Sequence, residues 1–270
     1  MKFEVFRYLR NLRFQNTKGT MSGHSKWSKV KHFKGAVDAK RSKLFTKLVR
    51  EITSAARRSG GDPDGNPRLR LAMEKARAGN VPNDTVQRAI AKGVGDTDGV
   101  DYEEVIYEGY GPASVAVVIE ALTDNRNRTA SIIRTAFTKA NGNLGGTNSV
   151  QYMFDRKGTF SVAKAAIGED ALTEHVLEAG ADDLEDDGEA WLVTCPLEAF
   201  DAVKSYLEGK GVPLLSAELQ RLPQTRVVIT DLEQAQKVLN FLEGLEDEDD
   251  VQKVYTNFDI DEQLLAELAS

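Results

Sequence analysis

The chain changes its hydrophobic pattern at residues 95–99, where the run Gly-Asp-Thr-Asp-Gly has the composition of a linker. Before this run, apolar residues recur with the period of a helix, and Gly and Pro separate three such segments. After it, short strand-like and helix-like segments alternate. The sequence therefore predicts a helical domain followed by α+β structure, in which helices cover antiparallel sheets.

The predicted elements follow from the hydrophobic periodicity of each segment and from the Gly and Pro residues that separate the segments. In the first part, helices are expected at 38–58, at 67–78 and from about 83 to 93. In the second part, helices are expected at 127–140, 168–179, 197–209 and 232–244. Strands are predicted at 105–110, 114–122, 150–155, 158–163, 189–195, 215–221, 226–230 and 251–256.

Charge divides at the same place as the pattern. The chain has 35 Lys and Arg against 42 Asp and Glu, a net charge of −7. Residues 1–98 hold 22 of the basic and 9 of the acidic residues, and the remainder holds 13 and 33. Such asymmetry indicates a nucleic-acid-binding end joined to an acidic body, the alternative being ordinary solvated charge.

The basic end contains a lysine-rich arm that leads into an amphipathic helix. We expect the arm to order on a phosphate backbone. Trp27 either stacks on a base or packs against the helical domain. On the helix, cations occupy an arc separate from the apolar arc. The predicted nucleic-acid-binding residues here are Lys26, Trp27, Lys29, Lys31, Lys34, Lys40, Arg41, Lys43, Lys47 and Arg50.

Two arginines stand out in the acidic part of the chain. Arg126 and Arg128 lie where a helix is expected to begin, and helix N-termini favour anions. A second phosphate or partner contact is the functional interpretation. The alternative is that these arginines pair with acidic residues across a domain interface.

Other chemistry finds little support. The single cysteine, Cys195, lies in a strand-like apolar run and is expected to be buried, and the histidines lack metal-ligand spacing. We expect the acidic clusters at 182–187 and 246–250 to be solvated turns. The sequence lacks phosphate-cradling and nucleophile motifs. It predicts no enzyme activity, catalytic residue, cofactor, metal, small-molecule substrate or membrane association.

Residues 1–21 are set aside from the fold. Two interpretations are open: a start placed ahead of the true one at Met21, or a targeting segment. We expect a cytoplasmic protein, or one of the mitochondrial matrix if the segment is genuine.

Several motifs together resemble the YebC/PmpR family. They include Gly-His-Ser-Lys-Trp at 23–27, Tyr-Glu-Gly-Tyr-Gly-Pro at 107–112 and Thr-Asp-Asn-Arg-Asn-Arg-Thr at 123–129. The others lie at 40–47, 50–52, 69–72, 76–82, 88–90, 142–145 and 149–150. At Thr147 and Asn148 the chain has fewer glycines than the family pattern leads us to expect.

The resemblance implies an α+β protein with an N-terminal three-helix domain and two α+β domains with antiparallel sheets, the last inserted into the middle one. We expect the basic helical domain at 22–98, the middle domain at 99–149 and 223–260, and the inserted domain at 150–222. The resemblance also implies a transcriptional regulator, with mitochondrial relatives linked to translation.

Three functions therefore stay open: DNA binding in transcriptional control, association with ribosomal RNA as a translation factor, and a protein-interaction module. No helix with side chains poised to read base edges is evident, which lends weight to RNA.

Overall fold

A computed structural model describes residues 37–95, 101–188, 190–260 and residue 264, and for residues 37–41 it describes the backbone alone. These residues divide into two compact units: Phe154–Leu222, and the parts of the chain before and after it.

Three helices form the N-terminal part: α1 (Val37–Ser59), α2 (Pro67–Ala78) and α3 (Asn83–Gly95). Asn66 caps α2 by accepting the Leu69 amide hydrogen at 3.0 Å, and its Nδ2 donates to the carbonyl of Ala55 in α1 at 2.9 Å. The apolar arc of α1, with Ile52 fully buried, packs on α2 and α3. One capping residue therefore also joins two of the three helices.

The middle sheet has four strands in the order β3-β1-β2-β9, with antiparallel neighbours. They are β1 (Glu103–Tyr110), β2 (Ala116–Thr123), β3 (Asn143–Leu144) and β9 (Val251–Thr256). Helices α4 (Arg126–Lys139) and α7 (Leu232–Glu246) contribute to its core, where Phe137 packs edge-on against Phe241 at 5.0 Å between ring centroids. Two short strands, β8 (Val227–Ile229) and β10 (Phe258–Ile260), pair in parallel.

A buried carboxylate holds the loop that follows β3. Glu108, 2% exposed, accepts the backbone N–H groups of Asn148, Val150 and Gln151 at 2.8, 3.1 and 3.0 Å, and also the side-chain amide of Gln151. Burial raises the pKa of Glu108, but these hydrogen bonds outweigh it and leave the pKa below its ordinary value. Asn148 adopts φ +63°, a left-handed conformation that asparagine tolerates better than most residues.

The unit Phe154–Leu222 has its own sheet, in the order β5-β6-β4-β7, and its own core. Phe160 and Phe200 stack in this core with centroids 5.1 Å apart. The elements are β4 (Phe154–Ala163), α5 (Glu169–Ala179), β5 (Asp183–Asp186), β6 (Ala190–Pro196), α6 (Phe200–Gly209) and β7 (Leu214–Pro223).

The predicted fold class is confirmed, with local corrections. A 3₁₀ turn (Gln151–Met153) and the single strand β4 stand where two strands were expected, and a 3₁₀ turn (Leu197–Ala199) precedes α6. The short strands β3, β5 and β10 were not predicted. Two or three residues show no clear alternation, and β5 is acidic in sequence, which is unusual for a strand.

Candidate nucleic-acid interface

The predicted arm lies outside the described residues, so Lys26, Trp27, Lys29, Lys31 and Lys34 stay predictions. Lys40 and Arg41 lie in α1, where the backbone alone is described. The structure describes the side chains of the remaining predicted residues.

The cationic arc of α1 meets the acidic segment 246–250, which contains the C-terminal end of α7. Lys43 Nζ donates to the carbonyl of Asp247 at 3.2 Å, and Lys47 Nζ donates to the carbonyl of Glu246 at 2.6 Å. Arg50 Nη1 donates to the carbonyl of Asp249 at 2.8 Å. The last carbonyls of a helix lack partners within it and carry the negative end of its dipole. Cations from α1 therefore cap α7 from outside.

Asp250 is the centre of this contact and is 6% exposed. Its Oδ1 accepts from Arg50 Nη1 at 2.7 Å, and its Oδ2 accepts from Arg128 Nη2 at 2.8 Å. The hydroxyls of Thr129 and Thr123 also donate to Oδ2, at 2.7 and 3.1 Å.

Two opposing effects set the ionisation of Asp250. Burial raises its pKa, but the hydrogen bonds from Arg128, Thr129 and Thr123 and the charge of Arg128 outweigh burial and hold the pKa below its ordinary value. The carboxylate is therefore charged, and it joins α1, α4 and the strand β2.

The two predicted arginines of α4 both pair with acidic residues. Arg126 lies 3.2 Å from Glu103, and Arg128 contacts Asp124 at 2.7 Å as well as Asp250. The side chain of Asn125 caps α4 by accepting the Arg128 amide hydrogen at 3.0 Å. These contacts match the pairing alternative, although the acids lie in the same domain as the arginines.

The expectation that both acidic clusters are solvated turns was wrong for Asp250, which is buried, and for residues 183–186, which form a strand. In the segment 246–250, Asp250 is buried because two arginines and two threonines satisfy its carboxylate. In the cluster 182–187, residues Asp183–Asp186 form β5, and Lys157 and Lys164 pair with Asp182 and Asp186.

Further cations near the start of β1 are also neutralised within the chain. Arg57 lies 3.6 Å from Asp101, and Arg58 and Arg68 both contact Glu104, Arg58 at 3.2 Å. All the cations of α1 whose side chains are described therefore have a partner from the body of the protein.

Four other cations of the helical domain differ. Arg70, Arg77, Arg88 and Lys92 are exposed, and none forms an ion pair with a carboxylate of the described residues. Arg70 and Arg88 donate only to uncharged oxygens, those of Pro63 for Arg70 and of Asp84 and Thr85 for Arg88. These four residues were not among the predicted nucleic-acid-binding residues, although their spacings of four and seven residues indicate a shared side of each helix.

The described part of the chain offers little to other classes of site. Cys195 is buried, as predicted, and burial raises the pKa of its thiol. Within the described ranges, no group of three or more His, Cys, Asp or Glu side chains is arranged to hold a metal ion. No helix in those ranges has the length and hydropathy that a bilayer crossing requires.

The fold and these contacts define a multidomain α+β protein with a cationic helical domain docked on an acidic body. A family profile described as "TACO1/YebC second and third domain" matches residues 102–258, and one described as "TACO1/YebC protein N-terminal domain" matches residues 25–96. The chain belongs to the TACO1/YebC family, and the resemblance seen in the sequence is confirmed.

Similar proteins agree with this assignment. A "Probable transcriptional regulatory protein" of Geobacter sulfurreducens is 52% identical over 248 residues, which cover 92% of this chain and 100% of the relative. One of Persephonella marina with the same name is 48% identical over 250 residues, with the same two coverages. The crystal structure of a conserved hypothetical protein from Aquifex aeolicus matches with a TM-score of 0.77 and 47% identity, covering 84% of this chain and 93% of that one.

Proposed function

We propose that this protein is a non-enzymatic, nucleic-acid-binding transcriptional regulator that engages DNA through its N-terminal helical domain. The observation that carries the proposal is the concentration of positive charge, 22 basic against 9 acidic residues in the first 98. Cations neutralise phosphates and release bound counterions, so such an end favours nucleic acid whatever its sequence. The names of the bacterial relatives support transcription as the process, and a cytoplasmic location is part of the proposal.

The charges of the N-terminal arm, of α1 and of the α+β domains define the role that we propose for each. The lysine-rich arm, from Lys26 to Lys34, supplies backbone contacts, and Trp27 supplies a face for a base. The α+β domains present acidic surfaces that repel phosphate, and they hold α1 through Asp250. Lys43, Lys47 and Arg50 act mainly in this docking and reach phosphate only when they leave the acidic segment.

A ribosome-associated translation factor is the second candidate. It is supported by the same exposed cations of α2 and α3, because their spacing suits phosphates and phosphates are common to RNA and DNA. Contacts of this kind fit folded ribosomal RNA as well as duplex DNA.

Crosslinking in living cells separates the two candidates. The protein is crosslinked to DNA and, in parallel, to RNA, and the recovered nucleic acid is sequenced beside an untagged control strain. Enrichment of promoter DNA would support the regulator, whereas ribosomal RNA recovered at a discrete site would replace it with the translation factor. Recovery of neither above the control would overturn nucleic-acid binding itself.

A further inference from the structure

We infer that the folded helical domain contacts nucleic acid through four exposed cations, Arg70 and Arg77 on α2 and Arg88 and Lys92 on α3, and not through the cationic arc of α1. This inference rests on the proposed function and names the surface through which it acts. We call these residues the four exposed cations.

The cations of the helical domain fall into two sets, those with an acidic partner and those without one in the described residues. Lys43 and Arg50 of α1 are engaged by the acidic segment, and Arg58 and Arg68 are engaged by Glu104. Phosphates would have to displace these intramolecular partners before they could bind such side chains. The four exposed cations form no ion pair within the described residues, so phosphates can bind them without breaking one.

Each helix carries its two cations on one side, at a spacing that suits phosphates. Arg70 and Arg77 are seven residues apart, which places them about 20° from one another around α2 and about 10 Å apart along it. Arg88 and Lys92 are four residues apart, which places them on one face of α3 about 6 Å apart along the axis. Phosphates of one DNA strand follow each other every ~3.4 Å along the duplex, so each pair can reach two of them.

The helix dipole accounts for only two of the four charges. A cation in the last turn of a helix stabilises that helix through its dipole, and Arg77 and Lys92 occupy such positions. Arg70 and Arg88 lie outside the last turns, so this effect gives no reason for their charge. The four residues share an exposed positive charge that forms no ion pair within the described residues, and they lie on two helices that contact each other.

The test measures how the affinity of the full chain depends on salt. Two double variants, R70A/R77A and R88A/K92A, are compared with the control R134A/K139A, which removes two exposed cations from α4. The probes are a duplex DNA of about 30 base pairs and a ribosomal RNA fragment, titrated between about 50 and 200 mM salt. A cooperative thermal unfolding transition within a few degrees of the parent protein's shows that each variant is folded, since loss of the last-turn cations Arg77 and Lys92 lowers the midpoint slightly.

Each variant that removes two of the four exposed cations is expected to reduce the slope of log K against log salt on DNA by about 1.8, since each lost phosphate contact contributes about 0.9, and the control is expected to keep the parent slope. If the parent binds and these two variants behave like the control, the inference is overturned and the proposed function stands. If the parent binds neither probe, the proposed function fails and the inference fails with it.

Discussion

Replacing Asp250 by alanine tests whether one buried carboxylate fixes the helical domain to the sheet domain. The substitution removes the acceptor shared by Arg50, Arg128, Thr123 and Thr129. It leaves the backbone contacts of Lys43 and Lys47 in place. The expected result is a local loss of stability in α1 and at the start of α4.

The size of the stability loss depends on how far each partner of Asp250 can be hydrated or hydrogen-bonded after the substitution. Removing one member of a buried ion pair costs about 3–5 kcal/mol. The side chains of Arg50 and Arg128 are 20% and 45% exposed, so both regain water and the cost falls. Thr129 still donates to the hydroxyl of Thr123 at 2.8 Å, so both hydroxyls keep a hydrogen-bond partner. We therefore expect a loss of about 2–4 kcal/mol, less than the full cost for an enclosed pair.

Hydrogen exchange followed by mass spectrometry measures this loss where it occurs. A change of 2–4 kcal/mol corresponds to exchange that is roughly 30-fold to several hundred-fold faster, because every ~1.4 kcal/mol is a factor of ten. The affected peptides should be those of α1 and of the first turns of α4.

Asp249 provides the matched control. It is exposed and contacts Arg50 through its backbone carbonyl, which D249A retains. This variant removes the same charge one residue away, and the expected change is within about 0.5 kcal/mol. Equal exchange rates in D250A and D249A would refute the argument that the Asp250 carboxylate holds the domains together.

Four further predictions concern Asp250 and three other buried positions. Because the pKa of Asp250 is depressed in the folded chain, its contribution is present above its unfolded pKa of about 3.9 and is lost as the pH falls through the lower folded value. The stability difference between the parent and D250N, measured by urea unfolding, should therefore persist at pH 7 and vanish in strong acid. E108Q should cost about 2–4 kcal/mol and speed exchange at residues 145–151, since an amide cannot accept from every donor there; unchanged exchange would contradict this. G93A should lower the thermal midpoint by the equivalent of about 1–3 kcal/mol, since its Cβ would lie 2.6 Å from a carbonyl of α1, whereas G95A, where the Cβ meets open space, should not. The Cys195 thiol, buried and with a raised pKa, should resist alkylation until denaturant unfolds its domain; rapid labelling of the folded chain would show otherwise.

Local signals predicted several elements closely. The helix α2 was predicted at its observed bounds because Asn66 and Pro67 mark its start and Gly79 marks its end. The strand β9 was also predicted at its observed bounds, 251–256. In both cases residues close together in the sequence specify where the element begins and ends, so a single sequence is enough to predict its bounds.

The candidate site was less accessible to sequence reasoning. The charge of Lys47 and Arg50 is evident in the sequence, but their acceptors lie 199 and 200 residues further along the chain. No periodic pattern connects positions so far apart, and the acidic segment looks like an ordinary solvated turn until α1 lies against it.

The sequence by itself determined the family, the order of domains, and the separation of a cationic end from an acidic body. These features depend on motifs, periodicity and composition, which a linear chain displays in full. Only the tertiary structure decided which cations are already neutralised and which, such as Arg88 and Lys92, stay exposed and unpaired within the described residues. The physical reason is that an ion pair depends on distance in space, and folding sets that distance for residues far apart in the chain.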